Sequence, residues 1–146
     1  MNRPGAVCLL FAALVVSCDR AADNDEGPRV LELTHDTIRL EAGVRLAGIE
    51  VRREASGEFH PAATEVRQGD VVRFTAGDGG GHAIAFGGQL DPAILEFLER
   101  TGQLRSPPLI AQGSSWVITL DGAPAGEYPF RCTTHNVAGR LTVAPR

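Results

Sequence analysis

Three residues of this chain have the types and spacing to hold a redox metal. Cys132 and His135 close the run Tyr128-Pro129-Phe130-Arg131-Cys132-Thr133-Thr134-His135, which reads as the end of a strand. His82 lies far upstream in Gly81-His82-Ala83-Ile84-Ala85-Phe86, a second strand-like run. One thiolate and two imidazoles make a trigonal set of soft-to-borderline donors that serves both Cu(I) and Cu(II). If the fold holds those donors in one geometry, copper changes oxidation state with little rearrangement. Two donors flank a tight turn and meet locally, whereas the third depends on the folded chain. The only methionine is Met1, so a weak axial thioether is absent.

The elements that must position these donors read as short strands. From Arg29 onward, apolar and polar residues alternate in short runs broken by Gly, Asp and Pro, the pattern of a β-sandwich. Strands are expected near 29–33, 37–41, 46–53, 64–67, 71–75, 82–86, 115–120, 126–131 and 139–144. Trp116, Ile118 and Leu120 should share one face of their strand, with Thr119 on the other. One segment breaks the pattern: near 91–101, Ile94, Leu95, Phe97 and Leu98 predict a short helix with an apolar face. Asp91 would be its N-cap, Pro92 its first residue and Gly102 its stop. The glycines between 77 and 81 lack the Lys-Ser/Thr ending of a phosphate loop, and read instead as a flexible loop that lets His82 approach. His35 and His60 show no ligand spacing and read as surface residues. No Ser-His-Asp arrangement or carboxylate pair stands out, so no enzyme activity is expected.

The front of the chain places the protein. Arg3 and an apolar stretch from Ala6 to Val16 have the length of a signal-peptide core, too short to span a bilayer. Val15-Val16-Ser17-Cys18 resembles the bacterial lipobox, in which cleavage leaves the Cys as a lipid-modified N-terminus. Residues 1–17 are therefore expected to be a lipoprotein signal peptide, Cys18 the lipidation site and 18–28 a polar, acidic tether. The expected location is the cell envelope, lipid-anchored and facing the periplasm or exterior. With Cys8 removed and Cys18 lipidated, Cys132 is the only free thiol left, and an unpaired Cys in an oxidising compartment must be buried or bound to metal.

Charge narrows the partners. The net charge is −4 and there is no Lys, so no basic stripe exists to neutralise nucleic-acid phosphates. Residues 131–146 carry Arg131, Arg140 and Arg146 with no acid, so the metal end is expected to be locally positive. Residues 29–146 suffice for one ordinary domain, and nothing demands an oligomer, so a monomer is expected.

The arrangement resembles the cupredoxin family in its plastocyanin, amicyanin and pseudoazurin-like forms. Phe59-His60-Pro61 and Glu65-Val66-Arg67-Gln68-Gly69-Asp70-Val71-Val72-Arg73-Phe74 look like the family's strand pair with its Gly-Asp turn. Gly126-x-Tyr128-x-Phe130-x-Cys132-x-x-His135 matches its ligand stretch, and Gly139-Arg140-Leu141-Thr142-Val143 its closing strand. The resemblance implies an all-β, Greek-key β-sandwich with copper held by His82, Cys132 and His135. It also implies that His135 is the electron port and that the partners are redox proteins. The chain departs from the family after His135, where only Asn136, Val137 and Ala138 precede Gly139, and Val137 or Ala138 takes the place of Met. An axial contact could come from the Gly81 carbonyl, much as in azurin, or from water, or be missing altogether. Ala83 and Ala76 replace residues that often brace the site, leaving Thr75, Thr133 or Thr134 as substitutes. The expected function is a membrane-tethered one-electron carrier; a copper carrier or sequestering protein and a copper-free interaction module are the alternatives.

Overall fold

The computed structural model describes residues 28–33, 37–53 and 58–146. The expected signal peptide, Cys18, nearly all of the tether and His35 lie outside these residues. Strands β1 (Arg29–Glu32) and β2 (Thr37–Leu40) pair only with each other, as an antiparallel ribbon. The strands expected there are present, but they form a sheet of their own rather than part of the sandwich.

Two four-stranded sheets follow. One orders β4 (Glu58–His60), β3 (Leu46–Arg52), β6 (Val71–Ala76) and β8 (Ser115–Thr119); the other orders β5 (Ala63–Arg67), β10 (Val137–Ala144), β9 (Gly126–Cys132) and β7 (Ile84–Phe86). Both are mixed, since β3 runs parallel to β6 and β10 parallel to β5. β4 was not expected from the sequence, and β7 is shorter than the 82–86 predicted, because His82 makes only an isolated bridge to Leu109.

Alternation in the strands builds the core. Val72, Phe74 and Ala76 on β6, Ile118 on β8, and Tyr128, Phe130 and Cys132 on β9 are buried, while their neighbours face outward. Phe130 meets Phe59 edge-on at 4.8 Å and Phe74 at 5.1 Å between ring centroids, locking the sheets together. Each such aromatic pair adds about 0.5–1.5 kcal/mol beyond its buried area. Ile118 and Leu120 are fully buried and Thr119 is exposed, as the alternation requires.

Local chemistry fixes the connections. Between β5 and β6, Gly69 adopts a φ of 87°, and the buried Asp70 carboxylate accepts the Arg67 N–H at 2.8 Å and the Arg45 N–H at 3.1 Å. The helix α1 spans Pro92–Arg100; Asp91 Oδ1 accepts the Ala93 N–H at 2.8 Å, and Gly102, with a φ of 67°, ends the helical path. Ile94, Phe97 and Leu98 form the buried stripe, whereas Leu95 lies off it and stays partly exposed. Ile94 reaches Gly126 at the start of β9, so the helix covers the end of the sandwich opposite Cys132. There Tyr128 donates its hydroxyl to the Pro124 carbonyl at 2.6 Å, tying β9 to the preceding turn.

Candidate metal centre

Cys132 is the last residue of β9 and is wholly buried. The chain then turns through residues 133–136 into β10. Asn136 takes a left-handed φ of 56° and donates its N–H to the Cys132 carbonyl at 2.9 Å, closing the turn. This short turn carries His135 back over the strand end, so that His135 Nδ1 lies 3.5 Å from Cys132 Sγ. His135 is half-buried, with part of its ring at the surface.

His82 arrives from the neighbouring edge. Its backbone exchanges hydrogen bonds with Leu109 at 2.9 and 2.7 Å, and Gly81 ahead of it turns the chain at a φ of 67°. The His82 ring is buried, with Nδ1 3.8 Å from Cys132 Sγ and Nε2 2.8 Å from Asp78 Oδ1. The two imidazoles stand 4.9 Å apart between centroids, at 60° to each other. One donor atom from each of His82, Cys132 and His135 falls within 4.8 Å of the others. The structure thus brings together all three residues that the sequence singled out. His60, exposed at the end of β4, is not in the group.

The spacing suits a metal. A first-row ion lies about 2.0 Å from an imidazole nitrogen and about 2.3 Å from a thiolate, which in a trigonal plane sets the S···N edges at about 3.7 Å. The observed 3.8 and 3.5 Å fall on either side of that figure. The thiol is also prepared. Burial pushes its pKa up, but hydrogen bonds at the sulfur outweigh it, that from the Ala83 backbone first. The net result is a fall from 9.0 to about 6. The shift favours the thiolate, the form that binds metal.

The residues around the donors were less legible. Ala83 offers no side-chain bond, yet its carbonyl accepts the Thr133 N–H at 2.7 Å and the Thr133 hydroxyl at 3.2 Å. Thr133 thus braces the Cys132 turn against the His82 strand, and of the three expected substitutes it is the one that does so. Ala76 is held by backbone bonds to Ser114 and Gly113. The sequence placed Asp78 at the family's distance ahead of His82 but gave it no role. The backbone N–H of Arg53, the His82 ring and the backbone N–H of Gly80 hold its carboxyl well below the ordinary range. The signal was an acid four residues before the histidine in a glycine-rich loop.

Comparison with known proteins agrees with this architecture. The family model described as "Copper binding proteins, plastocyanin/azurin family" matches residues 49–144. A purple cupredoxin from Nitrosopumilus maritimus is 22% identical, with a TM-score of 0.50, over 67% of this chain and 99% of that one. An oxidised plastocyanin from Dryopteris crassirhizoma is 26% identical, with a TM-score of 0.44, over 67% of this chain and all of its own. The reduced state of an amicyanin mutant is 20% identical, with a TM-score of 0.48, over 66% of this chain and 82% of that one. The family match spans well over half of the chain, so this protein belongs to the plastocyanin/azurin family of copper-binding proteins.

Proposed function

We propose that this protein is a single-copper, one-electron carrier of the cell envelope, with His82, Cys132 and His135 as the copper ligands. The observation that carries this reading is the convergence of two imidazoles on a buried, acidified thiol. Copper bound there would supply a one-electron couple. The protein's own residues do the rest. The β9–β10 turn and the Leu109 bridge hold the donors in place, so little needs to move when charge changes. Burial of Cys132 and His82 keeps water from the thiolate side, and the partly exposed His135 ring gives a short path to a partner's surface. No substrate is transformed. On the same reading the Gly81 carbonyl, one residue before His82, would offer the copper a further oxygen donor.

The lipobox-like sequence at Cys18 supports attachment to a membrane through lipid, with residues 18–28 as the tether. Among the described residues no helix is long and apolar enough to cross a membrane. A Cys18→Ser variant should move from the membrane to the soluble fraction; unchanged partitioning would remove the anchor from the proposal.

The deciding experiment is a Cu(II) titration of the full-length chain beside its Cys132→Ser variant, followed in the visible and by EPR. A stoichiometric thiolate-to-copper charge-transfer band in the parent only, with reversible voltammetry, is expected. A folded, reduced protein without the band would overturn the electron-carrier reading. A second reading, copper carriage, draws on the half-buried His135 and on the apolar Val137 in place of a fourth donor. Rapid loss of copper to a chelator without reversible voltammetry would favour it.

A further inference from the structure

We propose that Asp78 is a positioning residue: its carboxylate fixes the tautomer and orientation of His82, so that Nδ1 faces the Cys132 thiolate before any metal binds. The proposal rests on the reading of His82 as a ligand and adds the device that prepares it.

The His82 side chain is fully buried, and its two nitrogens meet neighbours at different distances. Nδ1 points to Cys132 Sγ at 3.8 Å and Nε2 to Asp78 Oδ1 at 2.8 Å. An ionised carboxylate only accepts hydrogen bonds, so the proton of a neutral imidazole must sit on Nε2. That leaves the Nδ1 lone pair free on the side of the sulfur. The opposite tautomer would exchange the 2.8 Å bond to the carboxylate for a 3.8 Å contact with the sulfur, and would set the Nε2 lone pair against the carboxylate.

Asp78 can impose this because it is itself held. Its Oδ1 also accepts the Gly80 N–H at 2.8 Å, and its Oδ2 accepts the backbone N–H of Arg53, just past the end of β3. Gly80 allows the loop to fold onto the carboxylate, since a Cβ there would lie 2.8 Å from Asp78 Oδ1. The ring is therefore fixed at both ends: at its backbone by the Leu109 bridge, and at Nε2 by a carboxylate anchored to the other sheet. The two backbone donors alone would brace the loop. The bond to a buried ring nitrogen is what turns the brace toward the metal centre. Hydrogen bonds of this kind orient metal-bound imidazoles and raise their basicity. A more basic imidazole favours Cu(II) over Cu(I).

The test has a metal-free and a metal-loaded arm, both on the full-length chain. In the metal-free arm, long-range proton–nitrogen NMR of histidine-labelled protein should show His82 as the Nε2–H tautomer. Asp78→Ala should lose that preference while thermal melting shows the domain still folded. In the loaded arm, competition with a Cu(I) chelator should show copper affinity lowered by about 10–100-fold in Asp78→Ala. Asp78→Asn keeps an oxygen that can accept from Nε2, so it should restore the tautomer but show a higher reduction potential than the parent. An Nδ1–H tautomer in the parent overturns the proposal outright, even if Asp78→Ala does not fold. A folded Asp78→Ala variant with parental tautomer and affinity also overturns it, leaving Asp78 as a loop brace. Parental copper affinity in a His82→Ala variant would instead overturn the ligand reading, and the tautomer result would be unaffected.

Discussion

Val137 stands directly opposite Cys132 across the β9–β10 hairpin. Paired residues of an antiparallel ladder project to the same face, so the Val137 side chain emerges on the side of the thiol. It packs against the core there, whereas Ala138, opposite Arg131, is exposed on the other face. Of the two residues that could occupy the place of an axial donor, Val137 is therefore the one on the thiol's side. An apolar group there gives the metal nothing, which favours Cu(I) and a raised potential. Val137→Met should add a weak thioether donor, lower the reduction potential and shift the visible spectrum. Voltammetry of the two proteins side by side decides it; an unchanged or raised potential would show that position 137 does not reach the copper.

Gly139 is required by packing. A Cβ there would lie 2.4 and 2.5 Å from the Phe130 ring and 3.2 Å from the Ala62 carbonyl oxygen. Phe130 has little room to retreat, because Phe59 and Phe74 meet it edge-on. Overpacking of this kind typically costs about 1–3 kcal/mol. Gly139→Ala should therefore lower the denaturation midpoint of the metal-free protein at constant m-value. A midpoint equal to the parent's would mean that the ring shifts freely.

What the sequence revealed divides by the range of the interaction. The helix was legible because Asp91, Pro92 and Gly102 are local signals that act within a turn of chain. The long strands were legible because alternation needs no knowledge of the partner strand. The β1–β2 ribbon shows the limit: its strands read correctly, but which sheet a strand joins depends on distant edges. β4 has three residues, too few for alternation to register. The three donors stood out because a lone thiol near two imidazoles is a rare combination of types. Asp78 did not, because its partnership with His82 is made by a loop fold, and glycine-rich loops carry no periodic signal. Thr133 was one of three equivalent threonines until the structure showed its target to be the Ala83 backbone, which every residue type offers.

Tyr128 should give stability an alkaline pH dependence. Burial, with the Asp91 carboxylate nearby, raises its phenol from 10.0 to about 12. The folded state therefore holds the proton more tightly than the unfolded chain does. This contribution is complete below pH 10 and is lost as pH rises through about 12. Two pH units correspond to an upper figure of about 3 kcal/mol. Tyr128→Phe also removes the hydroxyl bond to Pro124, so it should lose about 1 kcal/mol at neutral pH. It should lose less than the parent does between pH 10 and 12. Denaturation midpoints across that range test the point, and parallel curves for the two proteins would show that another group governs alkaline unfolding.

Two arginines flank the strand next to the thiol. Ala85 pairs with Arg131 on β9 and bridges to Arg105 on its other side, which sets both arginines on the outer face beside Cys132. Both are exposed. Of the arginines the sequence assigned to the metal end, Arg146 instead reaches Gly69 in the β5–β6 turn, away from Cys132, and the Asp78 carboxylate lies at His82. Arg105 and Arg131 therefore outnumber that one acid, while Glu96 and Glu99 lie on the helix at the opposite end. The chain as a whole is negative, at −4, so net charge and local charge predict opposite salt effects with an anionic oxidant. If the local field at the metal end steers encounter, oxidation of the reduced copper protein by hexacyanoferrate(III) should slow as ionic strength rises. Arg105→Glu with Arg131→Glu should lower the low-salt rate about 10-fold and reverse the slope. Stopped-flow measurements over a salt series separate the cases. A parent rate that increases with salt would mean that the overall charge governs the approach and that these arginines do not guide the partner.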